Sequence, residues 1–191
     1  MVQLCQYLYH PKLFVQIRCL FQSLKKKQQE ISDEIGRIED ELRKDYDPSA
    51  APTKRAGALL HPMPSGRFSQ DYGATAFAAR AYKSRFHNGL DFAAAICTPV
   101  VAAEDGVVMA SENNGRIQYG QYILIRHGNS LTTLYAHLSK RSVAVGTSVK
   151  RGDVIGYSGN TGYSTGPHLH FTVYQSSTVI MKTISGVVVT I

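Results

Sequence analysis

The sequence predicts a mainly β fold: an antiparallel β-sandwich or barrel-like domain preceded by an N-terminal helical segment. Three observations carry that expectation. From Pro99 onward, short runs rich in Val, Ile, Thr and Tyr alternate with Gly and Asn turns. Between Leu24 and Leu42 apolar residues recur with a heptad spacing. The stretch between these two regions is dense in proline and glycine.

Leu24, Ile31, Ile35, Ile38 and Leu42 fall at alternating four- and three-residue steps, and Gln28 fills the one polar seam position. Lys, Glu, Asp, Gln and Arg surround them, as on a solvated helix. Three heptads interrupted by Gly36 make a weak, short coiled coil. Two readings stand open: a stalk that pairs with another helix, or a single helix lying on the domain. Asp47-Pro48 ends the helix, because proline disfavours helical geometry in the residue before it. Pro52, Gly57, Pro62, Pro64 and Gly66 follow. The expected division is a helical segment over 1–46, a linker over 47–59, a folded domain over 60–175 and a C-terminal tail over 176–191.

Within that domain strands are expected at 99–103, 106–110, 122–127, 132–138, 154–157 and 169–174, with no helices between them, which implies antiparallel pairing. A faint internal echo links Thr98-Pro99-Val100 and Asp105-Gly106-Val107 to Thr147-Ser148-Val149 and Gly152-Asp153-Val154. Two related hairpins packed face to face would explain it. Lipoyl- and biotinyl-carrier domains show a similar repeat, but they carry a lysine at a hairpin tip, and Asp105-Gly106 supplies none.

At 191 residues the chain accommodates one catalytic-size domain with an appendage. Its net charge of +7 favours a polyanionic partner, yet the basic residues are mostly scattered and no nucleic-acid motif accompanies them, so nucleic acid is not expected. Cys5, Cys19 and Cys97 lack the paired spacing of a disulfide framework or zinc knuckle. The apolar stretch from Leu13 to Phe21 is broken by Gln16 and Arg18, which suits neither a membrane span nor a signal peptide.

Four histidines and an aspartate gather in three short segments: His87-Asn88-Gly89-Leu90-Asp91, Tyr135-Ala136-His137 and Pro167-His168-Leu169-His170. Alternate residues of a strand share a face, so His168 and His170 lie together, as do His87 and Asp91 if their segment is extended. Two imidazoles and a carboxylate form a common catalytic zinc set that leaves a position for water. His10, His61 and His127 have no such companions and read as ordinary tail, linker and strand-end residues.

Four motifs together resemble the lysostaphin and LytM-type zinc metallopeptidases, a family of murein endopeptidases. They are His87-x-x-x-Asp91, Thr98-Pro99-Val100-x-Ala102-x-x-x-Gly106-x-Val108, Tyr135-Ala136-His137-Leu138 and the run from Ser158 to Phe171 that ends in His168-Leu169-His170. The likeness covers roughly residues 60–175. It implies one Zn2+ per chain held by His87, Asp91 and His170, with His137 and His168 as catalytic histidines. It also implies a LytM-type β domain with a groove above a sheet, and peptidoglycan peptides as substrate. An extracytoplasmic place in the cell envelope, periplasm or cell wall, follows from the same resemblance.

On that reading the metal lowers the pKa of water and polarises a peptide carbonyl, while the two histidines share the proton and the oxyanion. Tyr82 is a candidate to hold the tetrahedral intermediate. The alternative is a non-catalytic LytM-like activator of cell-wall amidases, although all five positions such proteins tend to lose are filled. Self-association through the helix, or an envelope partner, is the remaining expectation. Cys97 stands where relatives usually carry glycine and reads as a small buried residue, and Thr172 stands where glutamate often follows His-x-His-Phe. The C-terminal stretch lacks the family's usual Asn-Pro segment, which reads as a fragment or altered frame at the ends.

Overall fold

A computed structural model describes residues 11–44, 59–82, 84–179, 181–184 and 187–190. Its centre is a seven-stranded antiparallel sheet in the order β1-β2-β10-β6-β5-β4-β8. The strands are β1 (Arg67–Gln70), β2 (Leu90–Ala93), β4 (Gly106–Asn113), β5 (Gln121–His127), β6 (Leu131–Leu138), β8 (Ser148–Val149) and β10 (His168–Gln175). A second, three-stranded sheet joins β3 (Pro99–Val101), β9 (Val154–Tyr157) and β7 (Lys140–Arg141). The mainly β, antiparallel expectation is met, and each strand read from the sequence has its counterpart.

Alternation along the central strands builds two apolar layers. Ile123, Ile125, Tyr135, Leu169 and Phe171 face the core shared with Val100, Val108 and Ile155. Tyr122, Leu124, Leu134 and Ala136 point to the other face, where Ala110 and Tyr119 join them. Strand β6 is buried almost throughout, as befits a strand flanked by partners and covered on both sides. The face opposite the main core is the one that carries His168, His170 and Thr172 on β10.

The sequence echo is realised as cross-pairing, not as the expected face-to-face stack. β3 pairs with β9, and β4 pairs with β8, so each repeat lends strands to the other. Backbone bonds from Ala102 N to Asp153 O at 2.9 Å and from Gly152 N to Ala102 O at 2.9 Å lock the two turns together.

Helix α1 spans Pro11–Lys44, beginning thirteen residues before the first heptad position at Leu24. Where it passes the domain, Gln28 Nε2 donates to Arg116 O at 2.6 Å and Ile31 is buried, whereas Leu24 is 57% exposed. A one-turn helix, α2 (Ala78–Ala81), is an addition to the strands-only expectation. Residues 45–58, most of the expected linker, and His10 and Cys5 lie outside the described residues. In the expected tail, a 3-10 turn at Ser176–Thr178 precedes a hairpin of β11 (Met181–Ile184) and β12 (Val187–Thr190). Among the described residues no helix is long and apolar enough to cross a membrane.

Cys97 corrects the reading of a buried thiol. It is exposed, at the turn between β2 and β3, with a φ of 70°. The chain reverses there before entering β3, and the backbone twist presents its side chain outward.

Candidate metal centre

Three neighbouring strands bring the sequence motifs together. β10 lies between β2 and β6, and its register sets His170 opposite Asp91 on one side and Ala136 on the other. His87 enters just before β2, held by an antiparallel bridge to Gly73. His137 sits near the end of β6 with a φ of 61°, a conformation that L-residues adopt at a cost and that recurs at functional positions.

The resulting geometry is tight. His87 Nε2 lies 3.0 Å from His170 Nδ1, and Asp91 Oδ1 stands 3.1 Å from His87 Nε2 and 3.0 Å from His170 Nδ1. One potential ligand atom from each of these residues falls within 4.8 Å of the others, and all three side chains are buried. His168 Nε2 approaches Asp91 Oδ2 at 3.7 Å. The His137 ring is 4.6 Å from that of His168 and 5.7 Å from that of His170, centroid to centroid. All five residues singled out in the sequence therefore meet at one place.

Each imidazole is oriented by the nitrogen it turns away from that place. His87 Nδ1 meets the Asp71 carbonyl at 2.8 Å, His137 Nδ1 the Thr161 carbonyl at 2.8 Å, and His168 Nδ1 the Gly166 carbonyl at 2.8 Å. A carbonyl accepts only, so these contacts place the proton on Nδ1 and leave the Nε2 lone pairs facing inward. The loop bearing Thr161 is seated against the β4–β5 connection, where Gly162 has a φ of 76° and a Cβ on it would lie 2.4 Å from Gly120 N.

The electrostatics favour neutral rings at His137 and His170, beside an anion at Asp91. Burial lowers the His137 pKa to about 3, and the neighbouring His170 and His168 push it the same way. His170 is lowered by burial as well, against the pull of Asp91. Burial by itself raises Asp91, but the hydrogen bond from His170 Nδ1 and the close approach of the His87 and His168 imidazoles outweigh it and hold the carboxyl well below the usual carboxylate range.

A groove of about 290 Å³ opens beside Asp91 and His168, lined by Ser69, Gln70, Phe77, Tyr82 and Tyr163 among others. Tyr82 stacks on His87 with ring centroids 5.9 Å apart, and burial together with Asp91 raises its phenol to about 12. The remaining sequence readings separate cleanly. His61 packs on Phe92 with centroids 4.4 Å apart, and His127 lies in a hydrogen-bond chain of its own, with Thr133 and Asp105.

Residues 85–182 match the sequence model of peptidase family M23. The chain belongs to this family. Among its relatives, an uncharacterized metalloprotease of Buchnera aphidicola is 45% identical over 114 residues, covering 60% of this chain and 30% of the relative. The peptidoglycan DD-endopeptidase ShyA of Vibrio cholerae is 53% identical over 85 residues, 44% of this chain and 19% of that protein. The DD-carboxypeptidase/endopeptidase Mpg of Neisseria meningitidis is 42% identical over 118 residues, 62% of this chain and 26% of its own. This M23 chain thus spans less than a third of the length of these curated relatives.

Solved structures agree on the fold. A zinc-containing peptidase from Vibrio cholerae superposes with a TM-score of 0.54 at 34% identity, over 61% of this chain and 36% of that one. The catalytic domain of lysostaphin from Staphylococcus simulans gives 0.53 at 35% identity, over 59% of this chain and 86% of that one.

Two contacts of this M23 site escaped the sequence reading. Tyr119, from the β4–β5 connection, stacks on His170 at 5.6 Å and receives Asn88 Nδ2 at 2.8 Å on its hydroxyl. Thr172 Oγ1 lies 3.0 Å from His170 Nε2. The first had no motif to announce it. The second had one: Thr172 follows His168 and His170 at the two-residue step that keeps a strand residue on the same face.

Proposed function

We propose that this M23 chain is a zinc-dependent endopeptidase that hydrolyses peptide cross-links of bacterial peptidoglycan, working in the cell envelope. The observation that carries the reading is the convergence of His87 Nε2, His170 Nδ1 and Asp91 Oδ1, each about 3 Å from the others. Two imidazoles and a carboxylate fit one divalent ion with room left for water and substrate, and the lack of a thiolate suits a hydrolytic rather than a closed structural site. The DD-endopeptidase names of the relatives and the zinc in the Vibrio cholerae neighbour support the same assignment. When bound there, zinc would supply Lewis acidity toward a peptide carbonyl and a lowered pKa for water.

The chain's own residues do the rest. His137 and His168 present unprotonated Nε2 atoms, so one accepts the proton of the attacking water and returns it to the departing amine. The other, taking a proton from solvent, would donate a hydrogen bond to the oxyanion. Tyr82, kept protonated by burial, is a neutral donor beside the same space. The division into a helical segment over 1–46, a linker over 47–59, a peptidase domain over 60–175 and a tail over 176–191 belongs to this reading, as does self-association through α1.

The test is metal and product. Purified chain is expected to retain about one zinc per molecule, to release peptide fragments from isolated murein, and to stop when a chelator is added. Murein left intact by the zinc-loaded chain alone, but cut once an amidase is added, would replace the enzyme with the activator. Absence of bound metal after purification and zinc supplementation would remove both the ligand set and the mechanism.

A further inference from the structure

His170 differs from the other three histidines of the site in which way it faces. His87, His137 and His168 turn Nδ1 outward onto backbone carbonyls. His170 turns Nδ1 inward, 3.0 Å from Asp91 Oδ1, and sends Nε2 outward to a side chain, the hydroxyl of Thr172, at 3.0 Å. Backbone carbonyls survive substitution. His168 Nδ1 adds Ser164 Oγ at 3.2 Å to its carbonyl partner, whereas the outward nitrogen of His170 is held by the side chain of Thr172, a residue that can be exchanged.

The surroundings are built for that pair. Thr172 is 5% exposed and His170 4%, so an unpaired ring N–H there would be buried without solvent to receive it. Gly89, in the middle of His87-x-x-x-Asp91, is what admits the two side chains. A Cβ at Gly89 would lie 2.6 Å from Thr172 Oγ1 and 2.7 Å from His170 Cε1. The glycine inside the first motif and the threonine after the last one are thus parts of one contact. Thr172 is β-branched and sits within β10, paired with Leu134 of β6, which restricts its χ1 and keeps Oγ1 toward the ring.

We propose that Thr172 is a positioning residue for the metal ligand His170. Its hydroxyl oxygen receives the Nε2 proton, so that the Nδ1 lone pair is held toward the ion. This rests on the zinc reading above. The hydroxyl also distinguishes Thr172 from the three carbonyl partners, since it donates as well as accepts and pairs with His170 in either tautomer. Thr172 would therefore stay bonded to His170 with the ring proton on either nitrogen, including the Nε2–H form in which Nδ1 would be free to hold the metal.

The experiment compares full-length wild type, Thr172→Val and Thr172→Ser for Zn2+ affinity, by competition with a chromophoric chelator. Thr172→Val keeps the branched shape and removes the acceptor, and is expected to bind Zn2+ roughly 10–100-fold more weakly. Thr172→Ser keeps the oxygen and restores wild-type affinity, which a purely structural role of the missing methyl would not allow. In the zinc-loaded wild type, the Nε2 proton of His170 is expected as a slowly exchanging imidazole resonance, lost or fast-exchanging in Thr172→Val. If Thr172→Val folds poorly, Thr172→Ala removes the acceptor without adding a methyl.

A valine or alanine variant that matches wild type in both affinity and proton exchange overturns the inference while leaving the zinc site standing. A wild type that takes up no zinc overturns the function and this inference together. The two failures are therefore read from different samples.

Discussion

The protein places histidines in two different ways, and the contrast shows what sets those of the candidate site apart. His127, at the end of β5, spends both nitrogens on the protein: Nδ1 donates to the Asp105 carbonyl at 2.9 Å, and Nε2 meets Thr133 Oγ1 at 2.8 Å. The chain continues through Tyr135 Oη, 2.9 Å from Thr133 Oγ1, to the amide of Ala103 at 2.8 Å. Nothing is left over. His87, His137 and His168 each spend one nitrogen on a carbonyl and bring the other to a common point beside Asp91. His127, His87 and His137 are buried alike while His168 keeps 15% of its side chain exposed, so burial does not separate the two regions; the direction in which Nε2 points does.

The largest separation between the two regions is expected in turnover. If the proposed mechanism holds, His137→Ala should lower kcat by about 10²–10⁴-fold on isolated murein, because it would remove a proton-handling group. Zinc content should stay at wild-type level, since His137 lies outside the cluster of His87, Asp91 and His170. Murein digestion with metal analysis on the same sample checks both. Loss of the metal along with activity would make His137 part of the ligand set and erase the distinction drawn here.

His127→Leu should show the converse. Its cost is about 1–3 kcal/mol of folding stability, because the Asp105 carbonyl and the Thr133–Tyr135 pair lose their partner in a buried setting. Turnover per folded molecule should be unchanged. Denaturant unfolding and kcat, measured together, would break the comparison if His127→Leu proved stable but inactive.

Acid sharpens the contrast further. The folded pKa of His137 is about 3, below its ordinary 6.5, so its contribution to stability is complete above about pH 6.5 and is lost as the pH falls toward 3. His170 acts in the same direction, and so does Asp91 at still lower pH. Over that window the unfolded chain binds more protons, and one such group makes stability fall by up to about 1.4 kcal/mol per pH unit. His137→Gln in chelator-treated protein should therefore give a shallower stability–pH curve between pH 6.5 and 3. A curve parallel to that of wild type would mean that His137 is protonated at no cost in the folded state.

How much of this was legible beforehand follows from the range of each interaction. His168 and His170 could be placed on one face because a strand has a two-residue period, and the same period contained Thr172 unread. Their meeting with Asp91 depended on β2, β10 and β6 being neighbours, which spacing along the chain does not disclose and only the family likeness implied. β1 stayed hidden because Arg67–Gln70 is polar and mostly exposed, and β7 and β8 because two-residue strands carry no pattern. The sequence places the helical segment over 1–46 but its heptad seam is legible only from Leu24, whereas Leu13, Phe14, Val15 and Ile17, all exposed, continue no such seam. Tyr119 reaches His170 from a connection between strands, and no local rule ties such a residue to the site.

The smallest effect concerns the turn at Cys97, and it tests whether the thiol or the backbone matters there. Cys97 and His137 are both non-glycine residues in the left-handed region, at φ values of 70° and 61°. At His137 the strain accompanies a side chain that lies against His168 and His170. At Cys97 the side chain is exposed, with Sγ a long 4.0 Å from Ser139 Oγ, while the position's backbone is fixed by the bond from its amide to Ser158 O at 2.9 Å. Glycine adopts this conformation without the Cβ clash, so Cys97→Gly should raise stability by about 0.5–1 kcal/mol after its greater unfolded-state entropy is deducted. Cys97→Ala, which keeps the Cβ and discards the sulfur, should leave stability where it is. Unfolding curves in denaturant decide between the two causes: a gain with alanine equal to that with glycine would mean that the sulfur, and not the turn, was the source of the cost.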